Sequence, residues 1–391
     1  MYPEFLQRTL PYLFTYDETK GCYRWADVAF VQVPQRFEDV KDWKDPDPLG
    51  NQAMLQFDVV NCGRDGVGSA MSCGQGSIWR VQALRNGIRP DGSKYASGPE
   101  AALIGRQGGL GFRSEVLIED THTSIDLFKQ GWKSVYVNFP GEILAQCTHA
   151  PDTVKWRVKQ VLRWHQGAAQ LLLWKGPKYA VSGDAWANNW QRIFALDALT
   201  YFLQAFSGQV LLVFPVIYGF TGNSPFNSLA LSFALVFFPF IITATMPTVL
   251  AMSWRHTKFE TSTAVMRDEQ FWFSTSYVQL FAMMNVTYGT ITRADPADAW
   301  LTTCPVWPLY GTFFLIMAAA VFNTAKWMGG TPAFDAPWVW VSCMGACVFA
   351  MHSLWPMVSF GLGITAPPAY YNRVFGLLVA MTIVALWMMN G

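Results

Sequence analysis

The feature that most constrains this chain is the place where its charges thin out. Charged side chains are dense up to about Arg192, and beyond it the sequence runs in long apolar stretches. A helix needs about 20 mostly apolar residues to cross the hydrocarbon core of a bilayer. Five stretches qualify: Ala198 to Phe220, Leu229 to Met252, Trp307 to Ala325, Trp338 to Leu362 and the shorter Val374 to Met389. Charged residues make up 14% of the 391, against about a quarter in an ordinary soluble domain, so the chain divides into a mixed globular front and a lipid-facing back. Tyr and Trp gather at several span ends, among them Tyr201, Tyr218, Trp254, Trp307, Tyr310, Trp327, Trp338, Trp340 and Trp387, where such rings favour the headgroup level.

Orientation follows from Lys and Arg. With a cytosolic front half, the loop after the second span carries Arg255, Lys258, Arg267 and Arg293, and the loop before the fifth carries Arg373. The opposite loops hold Lys326 between them, which is the positive-inside pattern. Arg267 to Ile291 begins with charges and continues through Phe271, Trp272, Phe273, Tyr277, Val278 and Phe281. It is expected as a helix lying on the cytosolic face; the alternative is a sixth span. The spans carry few ionisable groups, with His352 the main exception, and it is read as a packing residue. Ion carriers usually place charges at such positions; the Trp, Ser, Asn and Gly of these spans suit a path for a neutral, hydroxyl-rich chain, and the same residues also pack helices.

The net charge of +1 argues against a nucleic-acid-binding face. Met1 to Leu10 includes Glu4 and Arg8 and does not read as a secretory signal. The seven cysteines show no zinc-like pairing, and Cys343 and Cys347 read as helix packing, in keeping with a reduced, cytosolic front half.

Within the front half, Phe30 to Gln35 reads as a short strand that Pro34 confines to an edge or a strand end. Glu38 to Pro48 reads as a loop, and its Asp45-Pro46-Asp47 as a solvated stretch rather than a metal-binding pair. Gly63 to Gly76 is glycine-rich and ends in Cys73-Gly74-Gln75-Gly76, a turn through which backbone approaches a ligand closely. No phosphate-loop pattern is present. Val116 to Thr121 is an apolar run that ends in Glu119 and Asp120. Two readings stand: a general base at a strand mouth, or the capped start of the helix that follows. Val154 to Trp174 is amphipathic, with Gln160, Arg163 and Trp164 at i, i+3 and i+4 on one face. An amide, a guanidinium and an indole suit an anion beside a sugar ring; a snorkelling Arg and an anchoring Trp on an interfacial helix suit them equally.

In this order, Ile118-Glu119-Asp120, Gly131 to Tyr136 and Gln160-x-x-Arg163-Trp164 resemble the cellulose synthase group of family 2 glycosyltransferases. Val31-Gln32-Val33-Pro34-Gln35-Arg36-Phe37, Ser72-Cys73-Gly74 and Ala150-Pro151 are similar to further segments of that group. The resemblance implies an α/β GT-A-type glycosyltransferase domain, incomplete here, followed by an α-helical transmembrane bundle with interfacial helices. The expected division is 1–152 for the acceptor-side part of the domain, 153–195 for the interfacial amphipathic region and 196–391 for the membrane region. It also implies a processive, inverting synthase of β-1,4-glucan from UDP-glucose, or of mannan, mixed-linkage glucan or a hyaluronan-like polymer. Asp120, with Glu119 beside it, would be catalytic; Arg163 and Gln160 would hold the donor diphosphate; Trp164, Cys73 and Gly74 would meet the acceptor. Implied partners are a UDP-sugar, the growing polysaccharide and membrane lipid, in a homo-oligomer or a synthase complex at the plasma membrane, in the service of a cell wall.

Two departures accompany the resemblance. The opening, Met1-Tyr2-Pro3-Glu4-Phe5-Leu6, is similar to the segment just after the family's Asp-x-Asp. The ligands of its divalent metal, Mg or Mn, are therefore expected outside this sequence, as in a truncated gene product; an inactive membrane scaffold is the competing reading. The family's gating segment is matched best by Trp300 to Pro305, with Trp300 and Thr303 kept and the Lys missing; Lys326 is a weaker candidate.

Overall fold

The computed structural model describes residues 4–42, 47–85, 90–92, 112, 115–139, 142–176, 186–200, 203–223, 259–292, 304–332 and 337–364. Its strands are β1 Phe14–Asp17, β2 Cys22–Trp25, β3 Val28–Gln32, β4 Arg36–Phe37, β5 Ser77–Trp79, β6 Lys133–Tyr136 and β7 Gln146–Cys147. Its helices are α1 Glu4–Thr9, α2 Asn61–Asp65, α3 Val81–Leu84, α4 Glu119–Lys129, α5 Val154–Gln170, α6 Asn189–Thr200, α7 Leu203–Thr221, α8 Phe259–Thr292, α9 Trp307–Met328 and α10 Pro337–Gly361.

Of the two places expected from Pro34, an edge or a strand end, the strand end holds: the strand expected at Phe30 to Gln35 lies earlier, at Val28–Gln32, in the middle of its sheet. It pairs antiparallel with β5 and parallel with β6 in a sheet ordered β5-β3-β6. Every residue of Val28-Ala29-Phe30-Val31-Gln32 is buried, as a strand covered on both faces requires. Pairing stops before Pro34, which has no N–H to donate. Phe30 stacks on Trp79 at 4.3 Å between centroids, and Ile125 and Phe128 of α4 pack in the same core with the fully buried Trp132. The crossover between parallel β3 and β6 therefore lays α4 against the sheet and puts its first turn, with Asp120, at the sheet's end.

Asp47 does not lie in a solvated loop. It is buried, with φ at +49°, and its carboxylate accepts the backbone N–H groups of Asn51 (2.7 Å) and Gln52 (2.6 Å). Asp45 and Pro46 lie outside the described residues. Desolvation raises the Asp47 carboxyl above its usual range, against the pull of those N–H groups and of Arg157 and Arg267.

The apolar core does not separate front from back. One cluster runs from Leu49 and from Val158 and Leu162 of α5 through Phe271 and Val278 of α8 into Leu212, Leu309 and Leu354 of the bundle. The helix expected at Arg267 to Ile291 is longer, 34 residues from Phe259 to Thr292. Its polar side chains Gln270, Ser274, Thr275, Ser276, Gln279 and Asn285 are buried. Trp307–Met328 and Cys343–Gly361 are long and apolar enough to cross a membrane. The expected first span is divided between α6 and α7, whose apolar part Gly208–Thr221 is shorter. The expected spans Leu229 to Met252 and Val374 to Met389 lie outside the described residues.

Candidate functional site

Gln32 builds one wall of the site. It is fully buried on β3, and a buried carboxamide must find partners for both ends. Its Nε2 donates to the carbonyls of Val33 and Gln75, both at 2.7 Å. Its Oε1 accepts from the Cys73 N–H (3.1 Å) and the Ser72 hydroxyl (3.3 Å). One side chain thus clamps the Ser72 to Gly76 turn onto the sheet. Within that turn Gly74 has φ at +80°, where a side chain is strained, and a Cβ there would stand 3.3 Å from Asp120 Oδ2. The expected neighbours Cys73, Gly74 and Asp120 therefore meet.

Asp120 sits in the first turn of α4, so both sequence readings describe it: it belongs to a helix start and it faces the site. Its Oδ1 accepts the Thr121 N–H at 2.7 Å. Its carbonyl accepts the Ser124 hydroxyl at 2.8 Å, and that oxygen accepts the Ser72 N–H at 3.2 Å. Burial, with the neighbouring Glu119 charge, pushes the Asp120 carboxyl up to about 6, against the Thr121 N–H and Arg163. Glu119 itself is exposed. Burial and the Asp120 carboxylate push the Cys73 thiol up to about 12, so Cys73 presents a neutral sulfur to the site.

Helix α5 forms the other wall. The Thr153 hydroxyl caps it by accepting the Trp156 N–H at 3.2 Å. Gly167 lets it approach closely: a Cβ there would lie 2.7 Å from Ile118 Cγ2 and 2.9 Å from the Ile118 nitrogen. Gln170 Oε1 accepts the Leu117 N–H at 2.9 Å. Arg163 lies one turn before Gly167 on the same face, exposed, and its charge acts on Asp120. Gln160 and Trp164 are half-buried beside it.

The gating candidates Trp300 and Thr303 lie outside the described residues. Lys326 closes α9 with its ammonium 5.4 Å from the centre of the Phe322 ring. Sequence reasoning gave no site role to Gln32, named there only within a strand motif, or to Gly167, Gln170 and Arg157. Gln32 had a signal, a polar amide inside an apolar strand. Gly167, inside an amphipathic helix, had one too.

Residues 104–292 match the family model described as cellulose synthase. Over these residues the chain is similar to part of a cellulose synthase domain. It is 32% identical over 170 residues to the UDP-forming catalytic component of a cellulose synthase of Dictyostelium discoideum, covering 44% of this chain and 13% of that protein. It is 24% identical over 317 residues to a probable mixed-linked glucan synthase 7 of Oryza sativa subsp. japonica, 69% of this chain and 37% of that protein. Cellulose synthase 1 of Komagataeibacter xylinus is 25% identical over 207 residues, 50% of this chain and 11% of that protein. The chain thus spans well under half the length of each of these curated relatives. The family match supports a GT-A-like fold for the matched residues, which hold Asp120, Gln160, Arg163 and Trp164.

Proposed function

We propose that the full-length protein is a processive, inverting glycosyltransferase that extends a β-1,4-glucan from UDP-glucose and passes it through its membrane helices. The observation that carries this is the meeting of three elements: the Asp120 carboxylate, the bare backbone of Gly74 and the Arg163 face of α5. In the transfer, Asp120 takes the proton from the 4-hydroxyl of the chain end. That oxygen bonds to the anomeric carbon of the donor as the bond from that carbon to the phosphate oxygen breaks, and UDP departs with the electron pair. A base held near about 6 is anionic at neutral pH and close enough in affinity to receive the proton. Arg163 meets the charge that gathers on the diphosphate, and Gln160 hydrogen-bonds nearby. Trp164 offers a ring face to the terminal acceptor sugar, beside Cys73 and Gly74.

Mg or Mn is expected with the full-length protein; among the described residues no group of three or more His, Cys, Asp or Glu could hold it. The proposed setting is the plasma membrane, with the catalytic part cytosolic, several spans, and an arrangement as a homo-oligomer or within a synthase complex. A mixed-linkage glucan is the second reading, favoured by the rice relative that aligns with 69% of this chain. Membranes holding the full-length protein should convert labelled UDP-glucose into polymer. Release by an endo-β-1,4-glucanase supports the first reading; release only by a mixed-linkage glucanase supports the second. Absence of polymer from any UDP-hexose contradicts both and returns the chain to a scaffold.

A further inference from the structure

Helix α5 buries a charge that the proposed transfer does not use. Arg157 is 2% exposed. Its Nε donates to the Leu49 carbonyl at 2.9 Å, its Nη2 to the Gly50 carbonyl at 2.6 Å, and its Nη1 to Gln160 Oε1. The guanidinium carbon lies 5.0 Å from the centre of the Trp164 ring and 4.4 Å from that of Phe271 in α8. Gln160 and Trp164 follow Arg157 at i+3 and i+7, one stripe of the helix. Burial lowers the guanidinium to about 10, with Asp47 and Asp268 acting to hold it charged.

These contacts have a directional consequence. A carboxamide has one acceptor end and one donor end. Arg157 draws the Gln160 oxygen toward itself, so the Gln160 NH2 group is the end turned away from it, and it suits phosphate or hydroxyl oxygen. The same guanidinium lies against the Trp164 indole. Its anchorage comes from outside α5: the Leu49 and Gly50 carbonyls on one side and Phe271 on another. Gly50 has φ at +59°, and a Cβ there would stand 2.7 Å from Phe271 Cγ, so the turn is shaped to bring its carbonyl to Arg157 beneath that ring. Lys would keep the charge and lose the planar fork that serves three acceptors and two rings together.

We propose that Arg157 is a positioning residue: it turns the Gln160 amide donor outward and holds the Trp164 ring, so that α8 and the 47–50 turn set the geometry of the ligand-binding face. This rests on the reading of Gln160 and Trp164 given above. The test is the full-length protein in nanodiscs, as wild type, Arg157→Met and Arg157→Lys, with the structure and the transfer rate of each measured. In both variants the α5 backbone and Asp120 should stay in place while the Gln160 amide and the Trp164 ring leave their wild-type positions. Turnover should fall by about tenfold to hundredfold, as expected for misplaced binding groups. Arg157→Met combined with Gln160→Ala should lose far less than the product of the separate losses. Unmoved Gln160 and Trp164 in the variants would overturn the proposal. So would wild-type turnover with both groups displaced, or losses that simply multiply. If Arg157→Met fails to fold, Arg157→Lys decides on the same readings. A wild type that transfers no sugar from any UDP-hexose overturns the proposed function instead, and the structures alone then decide the role of Arg157.

Discussion

At the scale of residues, Asp120 is a contest between opposed effects. The first turn of a helix, the Thr121 N–H and Arg163 favour the anion; burial and Glu119 oppose it. The carboxyl lies near about 6, so burial wins. As a general base it works deprotonated, so kcat/KM should rise as pH increases through about 6 and level off above. A rate unchanged between about pH 5 and about pH 8 would remove Asp120 from the proton transfer. Stability runs the other way. A carboxyl whose folded pKa is raised above its ordinary value of 3.8 contributes stability that is complete below that value and is lost as pH rises through about 6. Asp120→Asn should therefore melt above the wild type at alkaline pH, and the gap should close on acidification; a variant that melts lower throughout would mean a net-stabilising carboxylate. Cys73, pushed up to about 12, should alkylate far more slowly than the exposed Cys22. Equal labelling by iodoacetamide, read by peptide mass spectrometry, would contradict that environment.

At the scale of elements, the spacing of Gln160, Arg163 and Trp164 already made one face of α5, because helical periodicity is local. The order of the acidic run and the amphipathic helix was equally legible. What spacing could not supply is the set of contacts made across large sequence separations. Gln32 clamps a turn 40 residues away through Ser72. Asp47 is buried within reach of the charges of Arg157 and Arg267, which no pattern around Asp45-Pro46-Asp47 announces. The central place of β3 depends on two partners, one of them after a long crossover. The Gly167 contact is the sharpest test at this scale. Gly167→Ala must push α5 off Ile118, and a shift near 1 Å between Arg163 and Asp120 should cost about tenfold or more in turnover. Gly289→Ala in α8, where a Cβ meets nothing among the described residues, serves as the control and should act near wild type. Equal activity of the two variants would show that the approach of α5 to Ile118 does not set the site.

At the scale of the whole molecule, the domain boundary expected near residue 195 does not correspond to a break in packing. Leu55 N–H donates to Asp268 of α8 at 2.6 Å. Gln270 of α8 in turn reaches His352 of α10, at 3.0 Å from Nε2 to the His352 carbonyl. The front half, the α5 face and the bundle are thus joined through α8. A chain ended after Thr221 would strip Val158, Leu162 and Leu49 of their α8 partners. It should aggregate on size exclusion, while a monodisperse fragment would show that the front half stands alone. Asp268→Ala removes the acceptor of the Leu55 N–H in a buried site, at a cost of about 1–3 kcal/mol; unchanged thermal unfolding would say that this contact adds nothing.

The central claim is that Asp120 is the base of a sugar transfer. Full-length wild type and Asp120→Asn, in matched membrane preparations given labelled UDP-glucose, test it most directly. The account predicts insoluble labelled polymer from the wild type and none from Asp120→Asn, at equal protein level and with UDP binding retained. Polymer made equally well by both would contradict it.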